Sequence, residues 1–132
     1  MLLADTNIWL EIILEQERSE EAKRFLNSVD PETLAITELS LDSIGIILIR
    51  LKKADAFEKF LADTIEDSPI LKIRLTPAEL RLVIKAHQNF NLDFEDAYQY
   101  VAAKKYGFTL VSFDSDFDRT DRGRKSPNQI TK

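Results

Sequence analysis

Leu2-Leu3-Ala4-Asp5-Thr6-Asn7-Ile8-Trp9 is the stretch on which the reading of this chain turns. An apolar run ends at an acid, and Ile8, Trp9, Ile12 and Ile13 then recur at helical spacing, so a short buried strand feeds directly into a helix. The same alternation continues downstream. Ala22, Phe25, Leu26 and Val29 mark a second helix, opened by Ser19 and Glu20 and stopped before Pro31. Leu34-Ala35-Ile36 reads as a second strand. No proline interrupts Thr37 to Ile65, and the polar Lys52-Lys53-Ala54-Asp55 stretch divides that segment into helices over 38–51 and 55–65. Ile70-Leu71-Lys72-Ile73 is a third strand. Thr76-Pro77-Ala78-Glu79 supplies an N-cap, a first-turn proline and a capping-box Glu for a helix reaching Asn89. Asp93-Phe94-Glu95-Asp96 opens a further helix that stops at Gly107, and Thr109-Leu110-Val111-Ser112 is a fourth strand.

Strands alternating with helices call for right-handed crossovers, which bury a parallel sheet on both faces. The expected class is therefore α/β: a mainly parallel sheet of four to five strands flanked by helices on both faces, a Rossmann-like three-layer sandwich. With 132 residues, residues 1–132 are expected to form a single domain. A 44% apolar share with 31% charged residues, three Gly and four Pro excludes disordered, collagen-like and repeat classes. Cysteine is absent, which excludes disulfides and thiolate metal sites and is compatible with a reducing cytoplasm. No signal-peptide pattern opens the chain and no apolar run is long enough for a membrane helix, so a soluble cytoplasmic protein is expected. The net charge of −5 argues against a polycation that coats nucleic acid, but leaves room for a local basic patch.

In open parallel sheets the ligand site lies beyond the carboxyl ends of the strands. The residues found there are acids. Asp5 follows the first strand, Glu38 and Asp42 the second, and Asp114 and Asp116 the fourth, while Asp96 sits in the first turn of the helix leading to the fourth. Gathered carboxylates raise one another's pKa values unless a cation neutralises them, and oxygen-only donors point to Mg²⁺ or Mn²⁺. Asn7 offers a neutral oxygen, and Thr6, Ser112 and Ser115 offer hydroxyls to hold the carboxylates. The matching chemistry is phosphodiester hydrolysis by a metal-activated water. Each acid also has a bland reading. Asp5 is a favourable N-cap, Asp96 sits where the partner in a capping box begun by Asp93 would be, Glu38 and Asp42 suit a solvated helix face, and Asp114 to Asp118 suits an acidic turn. His87 shares a stripe with Leu80, Val83 and Ile84 and is expected in the core or at an interface.

Three segments taken together resemble the PIN domain, the family of VapC-type toxin ribonucleases. They are Leu-Leu-Ala-Asp-Thr-Asn-Ile at the start, Phe-Glu-Asp-Ala-Tyr-Gln-Tyr-Val-Ala-Ala-Lys-Lys-Tyr-Gly from Phe94, and Thr-Leu-Val-Ser-Phe-Asp-Ser-Asp-Phe from Thr109. The resemblance implies a PIN-like fold and a metal-dependent endoribonuclease, the toxin of a toxin-antitoxin pair. It implies Asp5, Asp96 and Asp114 as metal ligands and catalytic acids, with Asp116 a further ligand or one acting through a water; Asp42 is taken as the remaining catalytic acid. Products would carry 5'-phosphate and 3'-hydroxyl ends, and the partners would be RNA, an antitoxin and a second copy of the chain. The second acid departs from the family pattern, which places a Glu about six residues past a Ser or Thr. Counted from Thr37 that position is Ser43, so Asp42 from beside it, or Glu38 from the first turn, would have to substitute. The departure keeps an alternative open: a catalytically degenerate PIN-like domain that binds RNA or protein.

From Phe117 onward the chain is locally basic, and Arg119, Arg122, Arg124, Lys125 and Lys132 are either phosphate contacts or an ordinary solvated terminus. Two rival magnesium folds fit less well. A haloacid dehalogenase phosphatase needs a second Asp where Asn7 stands, and a phospho-receiver needs a late Lys that is not identifiable here.

Overall fold

The computed structural model describes residues 1–131, so Lys132 lies outside the described residues. Strands β1 (Leu2–Ala4), β2 (Leu34–Thr37), β3 (Leu71–Ile73) and β4 (Thr109–Val111) form one parallel sheet in the order β3-β2-β1-β4. The sheet has the four strands expected. A fifth strand is reduced to a single parallel bridge, Val111 to Lys125, through which the tail lies along the outer edge of β4.

The inner strands β1 and β2 are buried on both faces, β3 at the edge exposes Leu71 and Lys72, and the strands alternate their apolar side chains between two cores. Leu3, Ala35, Ile73 and Leu110 enter one core, with Val83, Val101 and Phe117. Ala4, Leu34, Ile36 and Val111 enter the other, with Ile8, Trp9, Phe25, Ile44 and Phe60. The first core lies under α5 (Pro77–Phe90) and α6 (Phe94–Tyr106), the connection from β3 to β4. The second lies under α1 (Thr6–Ile13), α2 (Ser19–Ser28), α3 (Glu38–Arg50) and α4 (Ala54–Phe60). A short α7 (Pro127–Ile130) packs back on α2. The chain leaves the β1-β2-β3 half for β4 on the other side of β1, so the topological switch falls between β1 and β4.

The local start and stop signals operate as their chemistry requires. Thr76 and Glu79 close a full capping box on α5, and Gly107 ends α6 in the left-handed region at φ 69°. The break expected near Lys53 appears there, but the helix after it is α-helical only to Phe60 and continues as a π turn over Leu61–Ile65. Of the two places expected for His87, the core is excluded: the residue is exposed, and Nδ1 lies 2.5 Å from the Leu92 carbonyl oxygen, tying the α5–α6 turn to the helix.

Phe117, fully buried in the first core, anchors the 3₁₀ turn Ser115–Arg119 that carries the acids after β4. Phe117→Ala is expected to cost about 3–5 kcal/mol, the range for removing a buried aromatic side chain. Urea unfolding measures this, and a loss below about 1 kcal/mol would mean that the turn is not held by its core residue.

Candidate metal centre

Four segments converge at the carboxyl end of the sheet beside the switch point. Asp5 leaves β1 and caps α1, accepting from the Thr6 amide at 2.8 Å. Capping is only part of its role. The same carboxylate accepts from Gln99 Nε2 at 3.1 Å and from the Ser112 hydroxyl at 2.7 Å, so β1, α6 and the end of β4 are joined on one buried side chain. Ser112 is the hub of this end. Its hydroxyl also accepts from Asn7 Nδ2 at 3.1 Å and from the Asp114 amide at 3.0 Å. Asn7 Oδ1 accepts from the Phe113 amide at 3.3 Å, which engages the oxygen that the sequence offered as a neutral ligand.

Asp96, Asp114 and Asp116 each bring a carboxylate oxygen within 4.8 Å of the others'. Among the described residues they are the group of acids or imidazoles compact enough to share one ion. Asp93 caps α6 by accepting from the Asp96 amide at 2.8 Å, but no return bond runs from the Asp96 carboxylate to the cap, so that carboxylate is not consumed by a capping box. Asp114 accepts from the Asp116 amide at 2.8 Å, which sets the acidic turn. Ser115 is exposed at the start of the same turn.

The second strand delivers different chemistry. Thr37 caps α3, and the fully buried hydroxyl of Ser40 accepts from Gln99 and lies within hydrogen-bond distance of the Thr6 and Thr37 hydroxyls. Glu38 turns to Arg74 at 3.8 Å, and Asp42 lies exposed on α3. Neither joins the group of Asp96, Asp114 and Asp116. Glu95, by contrast, is half-buried and accepts from the Thr6 hydroxyl at 3.2 Å. Sequence reasoning passed over Ser40, Glu95 and Gln99. Gln99 carried a usable signal, because a lone amide in the apolar run Ala97 to Ala103 needs a buried polar partner.

The electrostatics follow from this crowding. Burial pushes the Asp5 carboxyl up to about 6. The bonds from Ser112, Thr6 and Gln99 pull it down, and the charge of Glu95 pushes it up again. Asp96 is raised to about 8, first by burial and then by the charges of Asp5, Asp93 and Asp114. Hard oxygens held close together at this cost are what a small divalent cation neutralises, so the donor set fits Mg²⁺ or Mn²⁺. Gln99 Oε1 is fully buried and has no donor, which costs about 1–3 kcal/mol where nothing supplies one.

The basic tail mostly serves the fold. Arg122 donates to the Phe108 carbonyl at 3.1 Å, and Arg124 to the Ser112 carbonyl at 3.1 Å while pairing with Asp118. Lys125 contributes backbone bonds to the β4 edge. Arg119 bonds the Asn91 carbonyl at 3.0 Å and lies 3.4 Å from Asp116, at the rim of the acidic group.

The PIN domain model matches residues 2–123, most of the chain. The chain belongs to the PIN domain family. No curated protein matches it significantly. Among solved structures, this PIN domain is similar to a chain of a toxin-antitoxin complex from Klebsiella pneumoniae, at 20% identity and a TM-score of 0.74, covering 96% of this chain and 98% of that one. It is similar to a chain of FitAcB from Neisseria gonorrhoeae at 21% identity and 0.74, with the same coverage. It is also similar to VapC20 of Mycobacterium tuberculosis, described as a sarcin-ricin loop cleaving toxin, at 20% identity and 0.76, covering 89% and 93%. These likenesses show the PIN fold, with its parallel four-stranded sheet between helices.

The raised carboxyls give a signed pH dependence. Both groups hold protons more tightly folded than at the ordinary value of 3.8, so their penalty grows as pH rises, through about 6 for Asp5 and about 8 for Asp96. In EDTA, Asp96→Asn is expected to lose less stability than the unsubstituted protein between about pH 4 and about pH 8, read by urea unfolding across that range. Parallel curves for the two proteins would remove the electrostatic argument for a cation site.

Proposed function

We propose that this PIN domain is a metal-dependent endoribonuclease acting as the toxin of a toxin-antitoxin pair. The observation that carries the reading is the group formed by Asp96, Asp114 and Asp116, with Asp5 buried beside it and a raised pKa on both Asp5 and Asp96. The family supports nuclease chemistry, and the toxin-antitoxin likenesses supply the biological setting.

In this reading Asp96, Asp114 and Asp116 hold Mg²⁺ or Mn²⁺, and Asp5 completes the site from β1. The ion, when bound, lowers the pKa of a water and stabilises charge on the attacked phosphate. The chain's own residues orient and exclude. Ser112, the Thr6 amide and Gln99 fix the Asp5 carboxylate, and the cap on α6 fixes Asp96. Hydrolysis proceeds by direct attack of water, so no covalent nucleophile is required. Arg119 is the tail cation best placed to meet an RNA phosphate, whereas Arg122 and Arg124 first shape the tail and Lys125 extends the basic edge.

An antitoxin and a second copy of the chain are the partners this reading expects, in a soluble, cytoplasmic setting. Among the described residues, no helix is long and apolar enough to cross a membrane. Ile46, Ile49 and Leu51 expose apolar surface along and just beyond α3, and Leu82 and Ile84 do so on α5. That pattern supports a homodimer. Ile49→Glu is expected to shift the protein from dimer to monomer in sedimentation velocity, and an unchanged sedimentation coefficient would exclude α3 from the interface.

The deciding experiment is cleavage of a mixed pool of labelled RNAs with Mg²⁺ or Mn²⁺, beside EDTA and an Asp5→Asn, Asp96→Asn double variant. Cleavage is expected to need both metal and aspartates, and to fall by two orders of magnitude or more, roughly, in the double variant. The absence of an α3 carboxylate from the acidic group favours a second reading, a degenerate RNA- or protein-binding PIN domain. RNA binding without any cutting would select it.

A further inference from the structure

We propose that Glu95 is a metal-ligating carboxylate of the inner, Asp5-side half of the site, in the place where α3 brings only hydroxyls; this rests on the metal-dependent reading above. Glu95 stands in the first turn of α6, where an acid is favoured by the helix dipole and is free to lie in solvent. It is instead half-buried. Its Oε1 accepts from the Thr6 hydroxyl at 3.2 Å, which places it beside the residue that follows Asp5, and its charge is felt at the Asp5 carboxyl. No ion pair offsets it among the described residues. The helix dipole and one neutral hydroxyl do not offset the charge that Glu95 adds near Asp5. A shared cation does.

A separate observation points to the same place. Gln99 follows Glu95 by four residues, so the two share a face of α6. Its amide nitrogen is committed to Asp5 and Ser40, while its oxygen is fully buried without a donor. A buried neutral oxygen on the side chain that bonds Asp5 adds to an oxygen donor set suited to Mg²⁺ or Mn²⁺, or accepts from a water that such an ion carries. The acids thus divide into an outer set, Asp96, Asp114 and Asp116, and an inner set, Asp5 and Glu95, with Asp96 electrostatically linked to both Asp5 and Asp114.

The test uses Mn²⁺ alone as the probe, with calorimetry and thermal unfolding of the full chain and no RNA. Four proteins are compared: the unsubstituted chain, Glu95→Gln, Asp42→Asn and the remote surface variant Glu58→Gln. Glu95→Gln is expected to weaken Mn²⁺ binding by about tenfold or more, or to delete a binding event. It should also shrink the Mn²⁺-induced rise in Tm, while its Tm in EDTA stays level or rises because a repulsion has gone. Glu58→Gln should match the unsubstituted chain throughout. Glu95→Gln binding Mn²⁺ as tightly as the unsubstituted chain would overturn the proposal, as would a weakening seen in Asp42→Asn in its place. A loss of affinity accompanied by a lower Tm in EDTA would also overturn it, making Glu95 a structural residue. If the unsubstituted chain binds no Mn²⁺, the metal-dependent reading falls with the proposal; if the unsubstituted chain binds Mn²⁺ and Glu95→Gln binds it equally, the proposal falls and that reading stands.

Discussion

The cost of burying carboxylates beside one another is the constraint around which this end of the molecule is built. Two like charges about 4 Å apart interact by about 4 kcal/mol at the effective dielectric of a protein surface, comparable to the stability of many whole domains. Against this the fold sets local attractions. Asp5 takes three donors, from Thr6, Gln99 and Ser112, each contributing at most about 1.5–3 kcal/mol to a charged acceptor. Burial, with the charge of Glu95, still wins, because the carboxyl ends above its ordinary range. The protein therefore carries a local instability that its hydrogen bonds reduce but do not cancel. The two cores on either side of the sheet hold the strands in place against it.

Much of this was legible in the order of residues. Each strand is a short apolar run that ends at or near an acid or a hydroxyl, and the period of the pattern changes from strand to helix within a few residues, so the α/β alternation could be read directly. Asp5, Asp96 and Asp114 could be singled out because the carboxyl end of a parallel strand, or the first turn of the helix before it, is where such a sheet presents its ligands. The part that resisted was the contribution of α3 and the rest of α6. Which of several nearby polar residues faces inward depends on helix phase to within one position. At that precision Asp42 and Ser40 are not separable by spacing, yet one is exposed and the other is fully buried.

Glu95 and Gln99 were hidden for a related reason. A glutamate beside Asp96 in a first turn has an ordinary explanation in the helix dipole, and a glutamine among Ala97, Tyr98, Tyr100 and Val101 looks like a tolerated polar residue on a packed helix. Only tertiary placement shows that both point back to β1 and Thr6. The tail is ambiguous by composition. Its arginines read equally as phosphate contacts or as a solvated terminus, and tertiary placement shows Arg122 and Arg124 donating to backbone carbonyls of the β4 region.

The bond between Ser112 and Asp5 spans 107 positions of chain, and that of Gln99 to the same carboxylate spans 94. Loop closure over such distances is slow, and a ribosome releases the amino-terminal end first. β1 and β2 can meet while the chain is still growing. The acids cannot assemble until β4 has emerged and docked on the other side of β1. A nascent chain is therefore without its acidic site until the stretch through Asp116 has emerged, long after Asp5 has left the ribosome.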